Sequence, residues 1–81
     1  MELSEKKQAV IDAVALLRPG VEVILQPDGI GGSKPIGGGL GYAIADIIVP
    51  DHLFVDLDTE SLAKYVAFVI SADLDDAQAH A

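Results

Sequence analysis

Residues Gly29 to Gly41 hold seven of the chain's eight glycines and enclose Ser33-Lys34-Pro35. Bare backbone amides beside a lysine and a hydroxyl are the materials of a phosphate-wrapping loop, in which the amides surround the anion and the lysine supplies the opposing charge. The spacing does not follow. A Walker loop needs Gly-x-x-x-x-Gly-Lys-Ser/Thr, whereas here the order is Ser33-Lys34-Pro35 with no helix-forming run directly behind it. The dinucleotide pattern Gly-x-Gly-x-x-Gly fails as well, because Lys34 stands three places after Gly31 and Tyr42 three places after Gly39. Residues 29–41 therefore read as a flexible glycine-rich loop, long enough to serve as a partner-contact segment, with Lys34 as its one charge. A small anion or nucleotide held by this loop through Ser33 and Lys34 is the alternative functional reading.

Three other groups of residues could do chemistry. Asp56-x-Asp58-x-Glu60 resembles the opening of a calcium loop, but Ser61 occupies the place of the required glycine and no glutamate closes the loop. A capping aspartate followed by a first-turn acid explains these residues more simply, and no metal is expected. His52 beside Asp51 and near Asp56 could be a polarised general base, yet neither a cysteine nor a serine in a nucleophile elbow accompanies it. No enzymatic activity and no cofactor are expected. Asp73, Asp75 and Asp76, together with Asp56, Asp58 and Glu60, could form a carboxylate band that imitates nucleic-acid phosphates toward a basic partner.

The charge distribution agrees with a basic partner. The net charge of −8 divides into −1 over residues 1–34 and −7 over residues 35–81, where Lys64 is the single base. Direct nucleic-acid binding needs clustered Lys/Arg and is not expected. Aspartates and Lys64 interrupt every apolar run before membrane-spanning length, and the opening Met1-Glu2-Leu3-Ser4 lacks the basic-then-apolar order of a signal peptide. A cytoplasmic location, away from membranes, is expected. With 81 residues, 51% of them hydrophobic and no cysteine, one domain must fold without disulfides, and self-association as a homodimer would hide the apolar excess.

The elements that must position these residues follow from periodicity. Leu3, Val10, Ile11, Ala13, Val14 and Leu17 recur at helical spacing, with Ser4 a candidate cap and Pro19-Gly20 the stop. Val21 to Gln26 is a β-branched strand ended by Pro27-Asp28-Gly29, with Ile24 on its otherwise polar side. Gly41 to Val49 fits a strand better than a helix, although Leu40, Ile44, Ile47 and Ile48 also make a helical stripe. His52 to Leu57 alternates and is expected to be a third strand, paired through a hairpin at Pro50-Asp51, with His52, Phe54 and Asp56 facing away from Leu53, Val55 and Leu57. A second helix starts at Asp58 or Thr59 and carries Leu62, Tyr65, Val66, Val69 and Ile70 inward, with a strand over 65–71 as the competing reading. The acidic tail, 74–81, is expected to fray.

Together these give an α+β fold, a small α-β-β-β-α domain over residues 1–81 with a three-stranded antiparallel sheet and two helices on one face. The other face stays open. Surfaces expected to bind a partner are that face through Ile24, His52 and Phe54, the outer side of the second helix at Phe68 near Lys64, the loop lysine Lys34, and the acids Asp73, Asp75 and Asp76. The expected role is a non-enzymatic protein-binding module that covers a partner's surface. The comparison with small regulatory or phage-type inhibitors rests on size and charge alone.

Overall fold

The computed structural model describes residues 2–36 and 41–79. Residues 37–40 of the expected glycine loop, and His80 of the expected tail, lie outside the described residues. In chain order the elements are α1 (Leu3–Leu17), β1 (Glu22–Gln26), β2 (Gly29–Pro35), β3 (Tyr42–Ile48), α2 (Asp51–Asp56) and α3 (Thr59–Ala79). The three strands make one antiparallel sheet in the order β1-β2-β3, so the fold is α+β with three antiparallel strands. Helices α1 and α3 pack against each other and on the same sheet face, where Val10, Val14, Ile30, Ala43, Ala45, Leu62, Val66 and Ile70 are buried.

Two expected elements change identity. The glycine stretch is not a loop over residues 29–35: it is the central strand, paired to β1 on one side and to β3 on the other. Glycine is a poor strand former in isolation, because it loses the most backbone freedom and brings no side chain to pack. Here closeness compensates. A Cβ at Gly32 would lie 2.7 Å from the Ile70 Cγ2, so α3 rests almost directly on the backbone of β2, and a Cβ at Gly29 would lie 1.9 Å from the carbonyl oxygen of Ile47. Ile30, fully buried, is the one large core side chain the strand contributes. The positive φ expected of glycine occurs instead at Gly20 and Gly41, which turn the chain after α1 and into β3.

Residues 51–56, expected as a strand, form α2, and no hairpin lies at Pro50-Asp51. Pro50 is extended and accepts from the Leu53 amide, Leu57 donates to Leu53, and Asp51 sits in the first turn, where the helix dipole favours an acid. The turn delivers Phe54, which alternation had placed on the open sheet face, into the core at 1% exposure, while Val55 is exposed. Lys7 of α1 fixes this helix from outside, with its Nζ 2.9 Å from the Asp51 carboxylate and 5.5 Å from the Phe54 ring centroid. Burying a phenylalanine side chain is worth about 1.5–3 kcal/mol, which favours the helix that buries it.

The helix ends differ in how they are closed. Ser4 lies within α1, whose cap is Glu2 without a side-chain hydrogen bond, so the expected serine cap is not used. Asp58 does cap α3: its Oδ2 accepts from the Ser61 amide at 3.1 Å. The strand alternative for 65–71 is excluded by α3, and the expected fraying from residue 74 is corrected too, since Leu74 is 1% exposed in the core and the helix runs on to Ala79. Within α3 the inward residues are Leu62, Ala63, Val66, Ala67, Ile70 and Leu74, and Tyr65 is exposed.

Gly32→Ala is expected to cost about 1–3 kcal/mol by overpacking against Ile70, and Ile70→Ala should cost less in that background than alone; urea unfolding of the two single variants and the double variant measures the coupling. Gly29→Ala should cost more than Gly32→Ala, because its new methyl meets backbone that cannot rotate away. The Asp58 carboxyl is held below its ordinary 3.8 by the hydrogen bond from the Ser61 side chain, then by the Ser61 amide. A carboxyl depressed in the folded state stabilises fully above its unfolded value and loses that contribution as pH falls through the folded one. Asp58→Ala should therefore lower the melting temperature at neutral pH, and thermal scans should show the gap closing as the pH drops below 3.8.

Candidate functional site

The sheet face away from the helices is built by strand alternation. Glu22, Ile24 and Gln26 of β1, Gly29, Gly31 and Ser33 of β2, and Tyr42, Ile44, Asp46 and Ile48 of β3 point to it. The register sets these in rows: Glu22-Ser33-Ile44, then Ile24-Gly31-Asp46, then Gln26-Gly29-Ile48. Large side chains occupy the two outer strands and small ones the middle, so the face has a trough along β2. Gln26 Nε2 donates to the Asp46 Oδ1 at 2.8 Å, and this bridge crosses directly over Gly31, where a Cβ would come within 2.9 Å of both groups. The trough encloses about 150 Å³.

Among the described residues, no element covers this face. Ile24 is 51% exposed, Ile44 67% and Ile48 73%, with Tyr42 beside them. Ile24 is thus where the sequence put it, and Ile44 and Ile48 of β3 join it there. His52 is not on this face. It is exposed on α2, and Phe54 is core, so both residues leave the candidate surface for the same reason: their segment is a helix.

The other candidates lie elsewhere and apart. Phe68, 70% exposed, stands on the outer side of α3 with Tyr65, while Lys64 nearby pairs with Glu60 at 2.9 Å, a contact that raises the lysine's pKa. Lys34 faces the helix layer and reaches the Asp75 carboxylate at 3.5 Å. Asp73 and Asp76 are exposed on the same stretch of α3. The expected carboxylate band is divided, because Glu60 and Asp73 are separated by most of α3, roughly 20 Å at 1.5 Å per residue. No three His, Asp or Glu side chains gather in a way that could hold a metal ion among the described residues.

Two further clefts lie on the surface of the described residues. One of about 580 Å³ lies between the end of α1, the end of β2 and α3, and brings together Arg18, Lys34, Ser71 and Asp75. Its cations already have partners: Arg18 donates through Nε to the Ser71 hydroxyl and through Nη1 to the Leu17 carbonyl, and Lys34 faces Asp75. A second cleft, about 380 Å³ and apolar, runs between Leu16 and Leu17 of α1 and Ala63 of α3. Arg18, Glu22 and Asp46 were not expected as site residues. Glu22 and Asp46 become legible once β2 is known to pair on both sides, and that pairing is hidden by its glycines.

The chain matches no known protein-family model, curated protein or solved structure. No helix among the described residues is long and apolar enough to cross a membrane.

Phe54→Ala is expected to cost about 3–5 kcal/mol, whereas Ile44→Ala should stay within about 0.5 kcal/mol of the parent. Denaturant unfolding of both variants separates the core position from the surface one.

Proposed function

We propose that this protein is a non-enzymatic binding module that covers a partner protein's surface with the open face of its sheet. The observation that supports the reading is the gathering of Ile24, Tyr42, Ile44 and Ile48 on one face that no described element covers. An antiparallel sheet with one face packed ordinarily turns polar residues outward on the other, and contiguous exposed apolar side chains mark interaction sites. Rigid backbone carries these residues, so little ordering entropy is lost when they are buried. A small body seated on a docking or active surface inhibits by occlusion, which fits a regulatory role.

The alternatives have less behind them. An anion held by the glycine stretch needs free amides, and those of β2 lie between two paired strands. The cleft at Arg18 and Lys34 is the better place for an anion, but the anion would have to displace Asp75 from Lys34. Phosphate mimicry needs a continuous row of carboxylates, and these are split between the ends of α3. A second copy docked through its open face would bring two more carboxylates, Glu22 and Asp46, to that surface, a like-charge cost that a different partner avoids.

Affinity capture from the native cell tests the reading. Ile44→Glu is expected to lose the partner that the parent chain retains, with Phe68→Glu retaining it, and both variants should keep the parent's melting temperature within about 2 °C. Loss of the partner on Phe68→Glu with retention on Ile44→Glu would sink the proposal.

A further inference from the structure

The geometry points to a more specific occupant for the open face: an apolar-faced helix or segment of the partner that inserts one arginine or lysine side chain into the trough over β2. This rests on the binding reading above and names the chemistry of the partner. Three observations converge on it. The first is charge segregation. All five Lys and Arg residues lie on the helices, at the α1 end or on the helix side of the sheet, so among the described residues the open face carries Glu22 and Asp46 and no cation. The second is shape. Ser33 forms a floor without a large side chain, bounded by Ile24 on one wall, Ile44 on the other and the Gln26–Asp46 bridge over Gly31 at one end. The third is the placement of the acids, with Glu22 at one end of the trough and Asp46 at the other.

An aliphatic stem with a cationic head matches all three. The methylenes of arginine or lysine would lie between the two isoleucines while the head meets a carboxylate, the division of labour these side chains use at interfaces. Among the described residues the Gln26 amide engages Asp46 at Oδ1, and the second carboxylate oxygen is left for this purpose. That same amide holds the carboxylate across the trough, so its orientation is set before the partner arrives. The surrounding Ile44, Ile48 and Tyr42 exclude water from the charged contact and give the partner's apolar residues somewhere to sit. A second copy of this chain supplies carboxylates to carboxylates, and an acidic partner fares no better.

The test uses the 81-residue chain and a pair of amphipathic helical peptides with identical leucine faces, one carrying arginines and the other glutamates. In NMR titrations the arginine peptide should shift the amides of Gly31 and Ser33 and the methyls of Ile24 and Ile44, with an affinity that falls as salt rises. The glutamate peptide should not. Glu22→Gln and Asp46→Asn should each weaken the arginine peptide about five- to tenfold, and Gly31→Ala should weaken it because its methyl displaces the Gln26–Asp46 bridge. Equal binding of both peptides, shifts centred on Asp73, Asp75 and Asp76 instead, or peptide-free shifts at Ile24 and Ile44 that grow with protein concentration would each overturn the inference. Its failure is distinguishable from that of the broader reading: a captured partner lost on Ile44→Glu but kept on Glu22→Gln and Asp46→Asn leaves the binding face intact and removes the cation.

Discussion

The structure depends on the absence of a side chain at Gly32. Ile70 of α3 stands where a Cβ would be, so the long helix lies directly against the central strand instead of being held off by a layer of side chains. Small domains have little volume to bury, and closing that gap lets Leu62, Val66, Ile70 and Leu74 share a core with Val10, Val14, Ile30 and Phe54. Gly29 makes room of a different kind, for the backbone of the neighbouring strand β3 at the Ile47 carbonyl. A strand of poor intrinsic propensity is thereby stabilised by what its thinness allows around it.

The same thinness shapes the opposite surface. Each strand exposes alternate residues to the two faces, so Gly32, which admits α3 on one side, alternates with Gly29, Gly31 and Ser33 on the other. One face gains close packing and the other gains a trough. Because the core contains no buried charge among the described residues, every ionisable group is left to the surface, where the cations settle around the helices. Lys7 joins α1 to α2, Arg18 joins α1 to α3, and Lys34 joins β2 to α3. These exposed contacts are individually modest, but they use most of the chain's positive charge on the helix layer and leave the open face acidic and apolar. The placement of the cations and the acidity of the open face are in this sense one arrangement.

How far the sequence reached can be argued from particular residues. Val10, Ile11 and Val14 advertise α1, Asp58 and Glu60 advertise the start of α3, and β-branching with a polar alternate advertises β1; each signal is local and survives folding unchanged. Ile24 was legible as a surface residue for the same reason. His52 to Leu57 misled because a six-residue alternation also accommodates one and a half helical turns, and the arbiter is Phe54's place in a core assembled from distant elements. The glycine stretch misled because pairing energy is non-local: nothing within residues 29–35 reveals that β1 and β3 flank it.

By itself, the sequence determined the fold class, the first and last long helices, the first strand, and an acid-rich second half, since periodicity, capping chemistry and charge are properties of neighbouring residues. Tertiary structure alone decided that glycines form the centre of the sheet, that Phe54 is core, and that Glu22, Ile24, Ile44 and Asp46 share one trough. The physical reason is that backbone pairing and close packing reward the lack of a side chain, a gain that exists only once the neighbours are in place.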